Sequence, residues 1–232
     1  MFSSQRLPLA ERYAARLAGD GVVRGLIGPR EAPRLWERHL LNCAVLADLV
    51  PADATLCDIG SGAGLPGIVL AIARPDVRVT MVEPLLRRTT FLEEVVEELG
   101  LTNAEVVRGR ADQLHGERRF GIVTSRAVAP LDRLLEWSMP LVEPTGALVA
   151  MKGSSAADEV EAAGPTLRRL GAAPPEVIVL GEHLLSSTTV AVRVVWSDPA
   201  KVSLPLAPNP AAGRSPRPRR RSQQRSHRRQ GT

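Results

Sequence analysis

The chain has 232 residues, 44% of them hydrophobic and 24% charged, which suits one well-buried domain with appendages and is too short for two large ones. Its apolar runs are interrupted well before 18 residues, so no bilayer span and no signal-peptide core is expected, and two cysteines form neither a disulfide framework nor a C-x-x-C pair; a cytoplasmic protein, not bound to membrane, is the simple expectation. The net charge of +5 is unevenly spread: the stretch 214–232 carries eight Arg and no acid, and without those eight the 30 basic residues fall to 22 against 25 acidic ones, a net of −3. A mildly acidic domain with a basic tail points to an acidic partner.

In chain order, residues 8–49 read as helical, with Leu9, Tyr13, Leu17 and Val22 near one face and a second periodic run from Leu35 to Val50 closed by Pro51. Short apolar runs then alternate with helical patterns. The expected strands are 55–59, 77–82, 104–108, 120–124 and 145–151, and helices fit between them at 66–73, 86–99, 130–139 and 156–170. This alternation argues a parallel sheet with helices on both faces. Two more runs, 176–180 and 189–196, are separated by only eight residues, too few for a helical crossover, so they should be antiparallel. The expected fold class is α/β: the Rossmann-like fold of S-adenosylmethionine-dependent methyltransferases, a mostly parallel seven-stranded sheet ending in an antiparallel hairpin, with N-terminal helices. The expected domains are a helical extension at 1–50 packed on the core, a methyltransferase domain at 51–198, and a disordered Pro/Arg-rich tail at 199–232.

The loop after the first strand, "CDIGSGAGLPGI" (57–68), fits two motifs. Through Gly62, Gly64 and Gly67 it reads G-x-G-x-x-G, on its own weak evidence for a dinucleotide site. From Asp58, through Gly60, Gly62 and Gly64, it reads as the first motif of methyltransferases. Glycines there let the backbone approach a compact cationic amino-acid moiety, and Asp58 would support its positive end, whereas a dinucleotide site prefers a helix N-terminus free of anions. The second strand ends in Glu83, 25 positions after Asp58, where a carboxylate can accept both ribose hydroxyls of an adenosine. After the third strand, Ala111 and Asp112 would flank an adenine. With the antiparallel hairpin added, S-adenosylmethionine is preferred to a nicotinamide cofactor.

Five stretches occur in order: "WERHLLN" (36–42), "DIGSGAGLPG" (58–67), "RGRAD" (108–112), "SRAVAPL" (125–131) and "MKG" (151–153). Together they resemble the bacterial small-subunit (16S) ribosomal RNA guanine-7-N-methyltransferase family, also called the glucose-inhibited division protein B family. One departure is Asn42-Cys43, where the family often shows Asp-Ser. The resemblance implies methyl transfer from S-adenosylmethionine to nitrogen 7 of a guanine in 16S ribosomal RNA, with the small ribosomal subunit as partner and the enzyme a monomer. It also implies cofactor contacts at Gly60, Leu65, Ala111, Asp112 and Arg126. In physical terms these would be a loop backbone contact, an apolar wall, an adenine clamp and a cation beside the methionine carboxylate.

A guanine acceptor suits the residues. The place after the fourth strand reads "SRAVAP" rather than an amino-methylating Asn/Asp-Pro-Pro-aromatic box, and neither Cys43 nor Cys57 lies in a pyrimidine carbon-5 motif; Cys57 reads as core. Guanine nitrogen 7 has a free lone pair, so alignment and exclusion of water matter more than an acid or base. The candidate catalytic residues are Arg126 and Lys152. Lys152 would meet an RNA phosphate or guanine oxygen 6, or else be a solvated strand end. Trp36 and His39, three apart on one face, are either core packing or a lining for the base pocket. His115 and His183 are isolated and no metal is expected. Methylation of another RNA site or of a small molecule is the alternative.

Overall fold

The computed structural model describes residues 1–202. Seven strands form one sheet: β1 (Thr55–Ile59), β2 (Arg78–Glu83), β3 (Ala104–Arg108), β4 (Phe120–Arg126), β5 (Val142–Lys152), β6 (Glu176–Leu180) and β7 (Thr189–Val194). Their order is β3-β2-β1-β4-β5-β7-β6. The first five are parallel, and β7 runs antiparallel to both β5 and β6. The order reverses between β1 and β4, and an open parallel sheet binds ligands at the carboxyl ends beside such a reversal.

The helices are α1 (Leu7–Arg16), α2 (Leu41–Ala44), α3 (Gly67–Ala73), α4 (Leu86–Leu99), α5 (Leu131–Ser138), α6 (Ala156–Ala162) and α7 (Gly164–Leu170). Alternation along the strands assigns their side chains to two layers. Leu56, Met81, Ile122 and Val149 join the N-terminal helices, α3 and α4 in one core. Cys57, Val82, Val123 and Leu148 join α5 and α7 in the other. In α4, Phe91, Leu92, Val95 and Leu99 supply the buried stripe, and Gly100, at φ +64, ends the helix in a left-handed cap.

Two expected helices are corrected. The run 8–49 is not continuous: wide π turns at Leu17–Gly21 and Trp36–Leu40 and tight 3-10 turns at Ala32–Arg34 and Val45–Leu49 interrupt it. Helix 156–170 breaks in two at Ala163, because Pro165 lacks the N–H that a continuous helix would use and starts α7 instead. The expected tail begins with a short turn, Pro199–Lys201, capped by Asp198, whose carboxylate accepts from the Ala200 N–H at 3.1 Å. The rest of that tail, 203–232, lies outside the described residues.

Candidate active site

The glycine loop leaves β1 at the carboxyl edge of the sheet and is held from three sides. From β2, the Val82 carbonyl accepts from the Gly60 N–H at 2.8 Å, and the Glu83 carboxylate accepts from the Gly62 N–H at 3.0 Å. From below, Asp58 Oδ2 accepts from the Gly67 N–H at 2.9 Å. From the N-terminal layer, the Tyr13 hydroxyl donates to the Ala63 carbonyl at 2.8 Å. Gly64 sits at φ +97, and a Cβ there would lie 2.5 Å from Ile68 and 3.0 Å from the Tyr13 hydroxyl. That position requires glycine.

Two cavities open along this edge. The first, about 410 Å³, is floored by Gly60, walled by Glu83, Ala111 and Asp112, and closed by Trp137. The second, about 900 Å³, has Arg38, Asn42, Arg126 and Lys152 on its walls. They meet at Ala127 and Val128, which line both. Ligand sites typically occupy a few hundred to a thousand Å³, so both are large enough.

Most of the expected residues gather here, with different tasks for some. Glu83, 1% exposed, also accepts from the Leu85 N–H at 3.0 Å and faces Arg88 at 3.4 Å. It therefore orders the loop as well as facing the cavity. Ala111 and Asp112 begin a tight turn, Ala111–Leu114, and Asp112 Oδ1 is buried without a hydrogen bond among the described residues. Asp58 departs from its expected place: it is fully buried beneath the loop, and burial pushes its carboxyl up to about 7. It braces Gly67 rather than facing a ligand. Leu65 packs into the core beside the N-terminal helices instead of walling either cavity.

Lys152, expected either to face RNA or to be solvated, is paired. Its ammonium donates to Glu159 at 2.7 Å and to the Ala129 carbonyl at 2.8 Å, with the side chain 8% exposed. The same Glu159 carboxylate accepts from the Leu131 N–H at 2.9 Å, so the pair fixes the connection between β4 and α5. Arg126 ends β4. Its guanidinium touches His39 Nδ1 and lies 3.6 Å from Cys43 Sγ, and among the described residues it makes no ion pair. Trp36 and His39 thus separate: Trp36 packs edge-on against Phe2 with ring centroids 6.4 Å apart, while His39 turns toward Arg126. Tyr13, Glu31, Val128 and Trp137 were not singled out as site residues from the sequence. Of these, Tyr13 stood on an expected helix face, Val128 in the stretch 125–131 and Trp137 in the expected helix 130–139, whereas Glu31 stood in no marked motif.

The sequence model of the family described as rRNA small subunit methyltransferase G matches residues 6–184. A ribosomal RNA small subunit methyltransferase G from a Nocardioides species is 67% identical over 232 residues, 100% of this chain and 93% of that one. Its counterpart from Streptomyces coelicolor is 54% identical, covering 91% and 89%. Among solved structures, Trm5b from Pyrococcus abyssi matches with a TM-score of 0.53 at 15% identity, over 73% of this chain and 50% of that one. The mitomycin 7-O-methyltransferase MmcR matches at 0.56 and 15% identity, over 80% and 60%. These two likenesses speak for the fold alone.

Proposed function

The chain belongs to the rRNA small subunit methyltransferase G family, and from that premise we propose that it transfers a methyl group from S-adenosylmethionine to nitrogen 7 of a guanine in 16S ribosomal RNA. The carrying observation is the pair of adjacent cavities: one of about 410 Å³ beside the glycine loop shares the walls Ala127 and Val128 with a larger one bordered by Arg38 and Arg126.

The residues fit that cofactor. Asp112 Oδ1, buried with no hydrogen bond among the described residues and with only the Arg110 guanidinium 3.6 Å away, can accept from a donor such as the adenine amino group, and the Glu83 carboxylate borders the same cavity where ribose hydroxyls would lie. When bound, S-adenosylmethionine supplies an activated methyl on a positively charged sulfur. The chain's work is then to align and to exclude water. Gly60 lines the smaller cavity, Ala127 and Val128 line both, and Arg126 borders the larger one beside them, where its guanidinium would pair with the methionine carboxylate. Guanine nitrogen 7 needs no proton removed, so aligning attack along the carbon–sulfur axis is the main demand. Methyl transfer to small-subunit RNA fits a cytoplasmic protein acting on ribosomal subunits; among the described residues, no helix is long and apolar enough to cross a membrane.

The test is to map methylated guanines in 16S ribosomal RNA from cells with and without the gene, alongside calorimetry of S-adenosylmethionine and NAD on the purified protein. Loss of one 7-methylguanine with the gene, and binding of the first cofactor only, is expected. An unchanged methylation map would overturn the acceptor, and tight NAD binding would overturn the cofactor.

A further inference from the structure

Arg126 is held in an unusual way. An arginine at a strand end usually finds a carboxylate, which fixes it but also neutralises it. Here the partner is an imidazole. His39 lies in the wide turn Trp36–Leu40, with its side chain 10% exposed, and its Nδ1 contacts Arg126 Nη2. Its Nε2 lies 2.9 Å from Glu31 Oε2. The three groups form a chain, Glu31–His39–Arg126.

The chemistry of the donors fixes the proton. A guanidinium has only N–H donors, so Nδ1 must be the acceptor. The ring is then neutral, its proton sits on Nε2, and Nε2–H donates to Glu31. We propose that Glu31 and His39 are positioning residues for methyl transfer, holding the Arg126 guanidinium on the wall of the larger cavity, next to the shared Ala127 and Val128, through a neutral acceptor that leaves its charge unspent. The proposal rests on the reading that Arg126 serves the reaction.

The surroundings agree with that assignment. Burial and the neighbouring Arg126 charge hold the His39 imidazole below its ordinary value, against the opposing pull of Glu31, so the neutral ring is favoured. Arg38 also faces this chain, pairing with Glu31 at 3.3 Å. Tyr13, Cys43 and Asp58 face Arg126 from α1, α2 and β1. Of these, Tyr13 and Cys43 are pushed up by burial and stay neutral, and no carboxylate touches the guanidinium among the described residues. Were Glu31 absent, the Arg126 donor alone would select the tautomer, and the imidazole would lose the anchor on its far side that keeps Nδ1 turned toward the guanidinium.

The test uses the full-length protein with small ribosomal subunits and S-adenosylmethionine. Glu31→Gln keeps an acceptor for Nε2–H while losing the charge that pairs with Arg38, so kcat should stay within a few fold of the parent. Glu31→Ala removes the acceptor, and His39→Phe removes the contact with Arg126. Each should lower kcat roughly 10–100-fold, the scale of a small misplacement of a reacting group, with the melting temperature of Glu31→Ala little changed. In the Arg126→Ala background, Glu31→Ala should cost nothing further, because residues that act as a unit are not additive. If Arg126→Ala is crippled while Glu31→Ala turns over normally, the positioning role is wrong and the reading of Arg126 survives. If Arg126→Ala itself turns over normally, both fall. Equal losses in Glu31→Gln and Glu31→Ala would show that the Glu31 charge and its ion pair with Arg38, not the hydrogen-bonded chain, matter, and would also overturn the proposal.

Discussion

The hydroxyl of Tyr13 donates to the carbonyl of Ala63 across 50 positions of sequence, joining the first helix to the middle of the glycine loop. Tyr13 is fully buried, and burial pushes its phenol well above its ordinary value, so it remains a donor at any working pH. The N-terminal layer is therefore part of the loop's support rather than an ornament on the domain.

Removing that hydroxyl should be felt twice. Tyr13→Phe leaves the Ala63 carbonyl without this donor in a buried place, which costs about 1–3 kcal/mol of stability. Urea unfolding measures that loss. Calorimetry should also show weaker S-adenosylmethionine binding, since the loop would sample positions that the latch forbids. Unchanged affinity would mean that Glu83 and Asp58 suffice to order the loop.

Two glycines two positions apart should respond very differently to alanine. At Gly64 a Cβ meets Ile68 at 2.5 Å, and φ is +97, so Gly64→Ala combines a clash with a disfavoured backbone. At Gly62, φ is +58 and the nearest atom to a Cβ is the Gly60 carbonyl at 3.8 Å, so Gly62→Ala should cost only about 1–2 kcal/mol of left-handed strain. Soluble, cofactor-binding Gly62→Ala and a poorly folded Gly64→Ala are expected. Comparable melting temperatures for the two would show that α3 and Tyr13 can move aside.

These contrasts show where the sequence was legible. The strands were, because apolar runs of five or six residues bounded by turn residues have few other uses, and β1 and β3 fall where the pattern put them. Glu83 was legible too, since a carboxylate ending the second parallel strand must sit at the ligand edge. Asp58 was placed at the same edge, but whether its side chain faces up to a ligand or down to Gly67 depends on the loop's path, which spacing does not carry. The contact of His39 with Arg126 spans 87 positions, and no local periodicity encodes a meeting of that range. The two π turns were also hidden, because apolar residues keep nearly helical spacing through them.

Asp58 gives the protein a pH dependence of defined sign. Burial, aided by the Glu83 charge, raises its carboxyl from 3.8 to about 7, against the opposing influence of the Ser61 and Gly67 hydrogen bonds and of Arg126. The folded state therefore holds this proton more tightly than the unfolded chain does. Its contribution to stability is fully present below pH 3.8 and is lost as pH rises through about 7. Asp58→Asn keeps an acceptor for the Gly67 N–H and removes the charge. Urea midpoints should show the variant gaining on the parent between pH 5 and pH 8; parallel pH profiles would mean that the carboxylate is already stabilised when ionised.

The adenosine end of the site can be read optically. Three tryptophans are present, and Trp137 lines the smaller cavity, whereas Trp36 packs on Phe2 and Trp196, 5% exposed, donates its indole N–H to the Val142 carbonyl at 3.3 Å. Adenosylhomocysteine entering beside Ala111 and Asp112 would bring its adenine to the wall that Trp137 closes, so tryptophan emission should change on titration. Trp137→Phe should abolish that change while keeping affinity within about tenfold, since phenylalanine retains most of the apolar wall and tenfold corresponds to about 1.4 kcal/mol. Ala111→Leu should do the opposite. Its extra carbons project from a residue only 6% exposed on the cavity wall, so affinity should fall while the indole remains in place to report whatever still binds. If adenosylhomocysteine binds Ala111→Leu as tightly as the parent, the adenine lies elsewhere, and the cavity between Glu83 and Trp137 is not its pocket.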